Sequence, residues 1–176
     1  MKAKAPIKDT ETINAIKNLY QKKNKIRDLL MFTLAVNTGA DFIDLLNLKI
    51  SDVKNKDYLI LDHKKSIPLN DELKELIKKV TKGHKLSEPL FQNQCGKKLT
   101  RSAVFYSFRE ICKELGISKN ISVASWRKTF AYHYYMKYKD LSFIQWLFDQ
   151  QNIDLTLKFI DVTENMNLRF REGVCL

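Results

Sequence analysis

Cationic and hydroxyl side chains gather where a short turn leads into a predicted helix. Lys97 and Lys98 lie in the turn, and Arg101 and Ser102 open the helix. The N-terminus of a helix presents unpaired backbone N–H groups and the positive end of the helix dipole, and both attract anions. Lysine and arginine add charge at the same point. We therefore predict that these four residues contact the phosphate backbone of a nucleic acid.

Another predicted helix carries Arg127 and Lys128 beside an apolar stripe. A guanidinium group offers a planar fork of donors that matches a phosphate, so one interpretation is that Arg127, with Lys128, binds the DNA backbone. The other interpretation is that Arg127 pairs with an aspartate or glutamate beside the core. Lys64 and Lys65 stand at the tip of a predicted hairpin, where they either enter a DNA groove or serve solubility.

The overall charge favours a polyanionic partner. The chain has 176 residues, with 31 Lys plus Arg against 20 Asp plus Glu and a formal net charge of +11. Double-stranded DNA fits this charge, although a basic surface does not establish DNA binding by itself. The 3 cysteines are widely spaced and the 3 histidines have no ligand spacing, so we expect no disulfide framework, metal or cofactor. No apolar run approaches a membrane span, which together with the cysteine usage indicates a cytoplasmic protein.

The elements that must position these side chains are mostly helical. Apolar residues at helical spacing predict a first helix that Asp9 or Thr10 caps and that ends near residue 24. Further helices are predicted at residues 25–37, 41–47, 71–81, 101–115, 123–137, 141–148 and 154–162. Asn70 is expected to cap the helix at 71–81 and Ser122 the helix at 123–137. Residues 1–9 are predicted to form a short basic tail.

A small sheet accompanies the helices. Short apolar runs at 58–61 and 66–69 flank a polar stretch and predict a β-hairpin, and residues 90–91 predict a third short strand. One small sheet among many helices makes the fold class α+β, in a single domain over residues 1–176. The aromatic run at 132–135 fits the core and its rim better than a base-stacking surface, because it follows helical spacing.

Three segments resemble the catalytic domain of tyrosine recombinases, the phage integrase family. Residues 38–53 resemble the family's T-G-L-R-I-S-E-L-L-x-L-x-W-x-D-I motif, residues 90–117 resemble the approach to its second signature, and residues 122–131 resemble H-x-L-R-H-T-F-A. The order of helices, hairpin and basic turn is similar across nearly the whole chain. The resemblance implies a mostly helical tyrosine-recombinase catalytic-domain fold with a small three-stranded antiparallel sheet.

The resemblance also assigns catalytic positions. In that family a tyrosine attacks the scissile phosphate, two arginines clamp it, a hairpin lysine protonates the leaving oxygen and histidines assist. The second arginine is retained as Arg127, and the lysine as Lys64 or Lys65. The other positions hold residues without the required chemistry: Asp41 for the first arginine, Ala124 and Gln150 for the two histidines, and Phe159 for the tyrosine. The last tyrosine is Tyr138, so no register restores the nucleophile.

These positions imply a catalytically inactive DNA-binding protein, not an enzyme, with a regulatory role in a phage or mobile element. We expect it to be associated with the nucleoid and to repress transcription or modulate an active recombinase. The alternatives are a recombinase subunit completed in trans by a partner and a protein-interaction module without a DNA role. The family's N-terminal core-binding domain is expected to be absent. The apolar residues at 166–170 and 174–176 are expected either to close the domain's own core or to mediate self-association.

Overall fold

The computed structural model describes residues 4–61 and 65–162, without the side chain of Lys65. None of the helices in these ranges is long and apolar enough to cross a membrane. The helices of the described ranges have bounds within three residues of the predicted ones: α1 (Thr10–Lys22), α2 (Ile26–Thr38), α3 (Phe42–Asn47), α4 (Asp71–Val80), α5 (Arg101–Glu114), α6 (Ala124–Tyr138), α7 (Leu141–Phe148) and α8 (Ile153–Phe159). A short 3-10 helix, Ile50–Asp52, follows α3.

Side-chain caps explain where most of the helices begin. Asp9 caps α1, and Asn70 caps α4 as predicted, each by accepting hydrogen bonds from backbone N–H groups of the first turn. Thr100, Asp140 and Asn152 cap α5, α7 and α8 in the same way. These residues satisfy N–H groups that have no partner inside the helix, which fixes the first turn in place.

The start of α6 differs from its prediction, because Ser122 does not cap it. The N-cap is Val123, whose backbone is already helical, and no side chain hydrogen-bonds there. The backbone N–H of Ser122 donates to Ser125 Oγ (3.1 Å), and the carbonyl of Ser122 accepts from the Ser125 backbone N–H (2.8 Å). These two bonds form a turn that leads into α6 without the Ser122 hydroxyl.

The core is built around α2. Every residue from Leu29 to Ala35 is buried, which is the pattern of a helix surrounded on all sides. It packs against α1, α4 and α6. A second cluster joins the end of α6 to α7 and α8 and includes the buried Tyr132 and Tyr135. The aromatic run at 132–135 therefore contributes to the core and its rim, as predicted.

The sheet has two strands in the described ranges, and the predicted third strand is wrong. β1 (Tyr58–Leu61) pairs antiparallel with β2 (Lys65–Pro68). Residues 90–91 are buried but make only isolated bridges on either side, Lys49 with Pro89 and Gln92 with Lys98. The bridge at Pro89 consists of two backbone bonds, from the Leu90 N–H to the carbonyl of Leu48 (2.8 Å) and from the Ile50 N–H to the carbonyl of Glu88 (3.0 Å). The segment instead ties the loop after α3 to the basic turn before α5.

The described part of the predicted basic tail, residues 4–9, lies against α6. We call residues 4–9 the N-terminal strap. The buried Ile7 donates its backbone N–H to Thr129 Oγ1 (2.9 Å), and its carbonyl oxygen lies 2.9 Å from His133 Nε2. Lys8 forms an ion pair with Asp161 just after α8 (2.7 Å). The strap therefore holds α6 and the end of α8 together.

Candidate functional site

Arg127 pairs with Asp41. The Nη1 atom of Arg127, on α6, lies 3.2 Å from Oδ2 of Asp41, the N-cap residue of α3. The two side chains are partly exposed, at 31% and 40%. Of the two interpretations of Arg127, pairing with a carboxylate beside the core is the one found in the structure. Its partner is the residue that stands at the predicted position of the first arginine.

The turn between α2 and α3 brings Asp41 to α6. Gly39 ends α2 in the left-handed conformation, with φ of +68°. A Cβ atom on this glycine would lie 2.6 Å from Cδ1 of Phe130, so the α2–α3 turn and α6 approach more closely than a side chain would permit. Thr38 accepts a hydrogen bond from the Ala40 backbone N–H (3.1 Å) and stiffens the same turn.

Phe159, the residue that the resemblance assigns to the nucleophile position, packs near Arg127 through the ring of Phe148. Its ring packs edge-on against Phe148, with centroids 5.2 Å apart, and the Phe148 ring lies under the Arg127 guanidinium at 4.4 Å. The Nζ atom of Lys128 lies 4.9 Å from the centre of the Phe159 ring. Burial lowers the pKa of Lys128, because a desolvated ammonium is disfavoured. The site thus gathers two cations over two phenyl rings that carry no hydroxyl.

The two positions that the resemblance assigns to histidines hold Ala124 and Gln150. Ala124 is exposed in the first turn of α6 and brings no functional group. Gln150 follows α7, and its backbone N–H donates to the carbonyl of Gln145 (2.9 Å). Within the described residues, neither Gln150 Oε1 nor Arg127 Nε has a hydrogen-bond partner, although both atoms are buried. Gln150 therefore retains an unused acceptor and Arg127 an unused donor.

The basic turn before α5 lies beside the far end of α3. The Nζ atom of Lys98 donates to Asn47 Oδ1 (2.6 Å), and Asn47 is the last residue of α3. Arg101, Ser102 and Lys97 are all exposed around the N-terminus of α5. A six-residue helix is about 9 Å long, so α3 joins the basic turn at Asn47 to the Asp41–Arg127 pair over roughly that length.

Several contacts at the site escape prediction from sequence. Phe148 is the last residue of the apolar helix α7, and nothing in the sequence indicates that its ring lies under Arg127. Asn47 likewise gives no indication that it holds Lys98. Of the hairpin lysines, Lys64 lies outside the described residues, and only the backbone of Lys65 is described, in β2 opposite Leu61. The segments 166–170 and 174–176 also lie outside the described residues.

A groove of about 470 Å³ lies at the other end of α2 and is lined by residues including Arg27, Asp28, Gln92 and Ser107. These polar groups satisfy one another. Arg27 binds Asp28 (2.7 Å) and the carbonyl of Gln92 (2.8 Å), and Ser107 donates to Asp28 (2.5 Å). Across the described ranges, no cluster of three or more histidine, cysteine or acidic residues could hold a metal ion.

Comparison with known proteins places the chain in one family. A family model described as "Phage integrase family" matches residues 7–166. The probable integrase/recombinase YoeC of Bacillus subtilis (strain 168) is 31% identical over 166 residues, which cover 91% of each chain. The tyrosine recombinase XerD of Oceanobacillus iheyensis is 26% identical over 159 residues, 81% of this chain and 52% of its own length. The chain thus spans about half the length of that relative.

Solved structures agree with this placement. The crystal structure of XerA recombinase superposes with a TM-score of 0.79 over 99% of this chain and 66% of that chain, at 17% sequence identity. The Tn1549 transposon integrase in complex with circular intermediate DNA superposes with a TM-score of 0.74 over 97% of this chain and 66% of that chain, also at 17% identity. Identities this low establish similarity of fold.

Proposed function

Because this chain belongs to the phage integrase family of tyrosine recombinases, we propose that it binds duplex DNA without cleaving it. Its role is then regulatory: it represses transcription at its sites or modulates an active recombinase in a phage or mobile element. The Asp41–Arg127 pair is the observation that carries the proposal. In the family two arginines hold the phosphate, whereas here Asp41 stands at the first position and neutralises Arg127 at the second.

The exchange of an arginine for Asp41 acts directly on catalysis. Two arginines that hold a phosphate stabilise the charge that develops as the phosphate is attacked. A carboxylate at the first position repels that charge and also occupies the second arginine. Loss of one such donor typically slows a reaction by about 10²–10³. The lost histidine at Ala124 adds to this deficit.

The nucleophile position supports the same proposal. Phe159 has no hydroxyl, and residues 139–176 contain no tyrosine. The nearby Thr156 is buried and donates its hydroxyl to the carbonyl of Asn152 (3.0 Å), so it is committed to the first turn of α8. An aliphatic hydroxyl without an adjacent base is also a poor nucleophile.

The surface that remains suits backbone contacts with DNA. Lys97, Lys98, Arg101 and Ser102 surround the N-terminus of α5, and the chain carries a net charge of +11. The Tn1549 integrase, which shares the fold, is solved with DNA bound. Contacts of this kind depend on counterion release, so the logarithm of the affinity falls by about 0.9 per phosphate contact for each tenfold increase in salt.

The test is a fluorescence-anisotropy titration on labelled duplex at several salt concentrations, with a nicked suicide substrate incubated in parallel. We expect binding that weakens steeply with salt and no covalent protein–DNA adduct on a denaturing gel. An adduct would contradict the loss of catalysis. Absence of binding even at low salt would favour a protein-interaction module.

The site of DNA contact is tested by charge removal. Lys98→Ala and Arg101→Ala should each weaken binding and reduce the salt slope by about 0.9. Lys79→Ala is the matched control, because Lys79 is an exposed lysine on α4 and is not part of the basic turn. Equal effects of the three substitutions would show that only net charge matters.

A further inference from the structure

The two carboxylate oxygens of Asp41 accept hydrogen bonds from two different groups. Its Oδ1 atom accepts the backbone N–H of Ile43 (2.9 Å) and so caps α3. Its Oδ2 atom accepts from Arg127 Nη1 (3.2 Å). The helix cap therefore holds the carboxylate in front of Arg127 independently of the ion pair, and the negative charge stays there when the pair opens.

Arg127 is incompletely satisfied by this partner. A guanidinium carries five N–H donors, and one of them makes the bond to Asp41. The distance of 3.2 Å is longer than the roughly 2.8 Å common for bonds between two charged groups. Arg127 Nε is buried and has no partner within the described residues, while the face of the guanidinium rests on Phe148. A phosphate, which can accept from two donors at once, is a better partner than this carboxylate.

We infer that Asp41 is an intramolecular substitute for a DNA phosphate, which must be displaced before Arg127 can contact the DNA backbone. Asp41 thereby lowers the affinity of the chain for duplex DNA and removes one phosphate contact from the complex. This inference rests on the proposed DNA binding and adds that Asp41 weakens it. It also explains why Arg127 is retained in a site that no longer needs it for cleavage.

The test is Asp41→Asn, which removes the charge but keeps a side-chain oxygen for the cap of α3. A partly exposed ion pair is weak, so we expect the affinity at about 0.1 M salt to rise by roughly three- to tenfold rather than by orders of magnitude. The salt slope should become steeper by about 0.9, because Arg127 then adds one phosphate contact. Both changes are read from the same anisotropy titration.

Asp140→Asn is the matched control, since Asp140 is an exposed aspartate that caps α7 through the Phe143 backbone N–H (3.0 Å). It removes the same charge from the same kind of position and should leave the salt slope unchanged. In an Arg127→Ala background, Asp41→Asn should no longer steepen the slope. This double-mutant cycle separates release of Arg127 from a general loss of negative charge.

The outcomes distinguish the inference from the proposal on which it rests. If the unsubstituted chain binds DNA and Asp41→Asn changes neither affinity nor slope, the inference is wrong while DNA binding stands. The same holds if Asp140→Asn has an equal effect. If neither the unsubstituted chain nor Asp41→Asn binds at low salt, DNA binding itself is wrong. Binding only after the substitution would support the inference in its strongest form.

Discussion

Replacing Gly39 by alanine should destabilise the domain, because this glycine serves both a turn and a helix contact. Its φ of +68° lies in the left-handed region, where a side chain costs about 1 kcal/mol. The added Cβ would also lie 2.6 Å from Phe130 Cδ1 and 3.2 Å from Leu147 Cδ2. Overpacking of this kind costs about 1–3 kcal/mol. We therefore expect Gly39→Ala to lower the free energy of unfolding by about 3 kcal/mol.

Gly116→Ala separates the two contributions. Gly116 follows α5 with φ of +66°, and no atom lies within 4 Å of the position that its Cβ would take. The substitution carries the conformational cost alone, about 1 kcal/mol. The difference between the two variants, about 2 kcal/mol, then measures how closely α6 packs on the α2–α3 turn.

Urea titrations followed by tryptophan fluorescence give both free energies of unfolding. For a domain of this length, 1 kcal/mol corresponds to a change in Tm of about 2–4 °C, so Tm should fall by about 3 °C for Gly116→Ala and about 9 °C for Gly39→Ala. Equal losses in the two variants would refute the claim that the turn beside Asp41 needs a glycine for its approach to α6.

Three further results are expected. Phe159→Tyr alone should give no covalent adduct on the suicide substrate, because the first arginine and the histidine of the family remain absent. Thr100→Ala should lower the free energy of unfolding by about 1 kcal/mol by removing the cap of α5, and Thr100→Ser should restore most of it in the same urea titration. Burial raises the pKa of the Cys112 thiol to about 11, so in a Cys175→Ser variant at pH 8 a thiol reagent should modify the exposed Cys95 in the native protein and Cys112 only after unfolding.

Local signals predict the helices well, because apolar periodicity and capping residues act within a few positions of each other. Asn70 is an example, since its cap of α4 follows from its side chain and the sequence after it. The structure of short segments is harder to predict from sequence. Residues 90–91 have the composition of a strand, yet the segment pairs only through single bridges on either side of them, at Pro89 and at Gln92. Ser122 has the chemistry of a cap, yet a backbone turn takes its place.

In the candidate site, too, the sequence predicts features of single residues but not the contacts between residues that are distant in the chain. The sequence indicates that Arg127 contacts either a phosphate or an acidic residue, and it indicates that Asp41 departs from the family pattern. It does not indicate that these two residues meet, because they are 86 residues apart and are brought together by the packing of α2 and the turn after it against α6. The stacking of Phe148 under Arg127 depends on the same tertiary packing.

The N-terminal strap has a consequence for the order in which the domain folds. Its bond from Ile7 reaches 122 residues along the chain to Thr129, and its bond from Lys8 reaches 153 residues to Asp161. During synthesis, α1 to α5 are made before either partner. Contacts between such distant residues form only after the entropy of closing a long loop has been overcome. We therefore expect the N-terminal strap to dock late, although it is synthesised before its partners on α6 and just after α8.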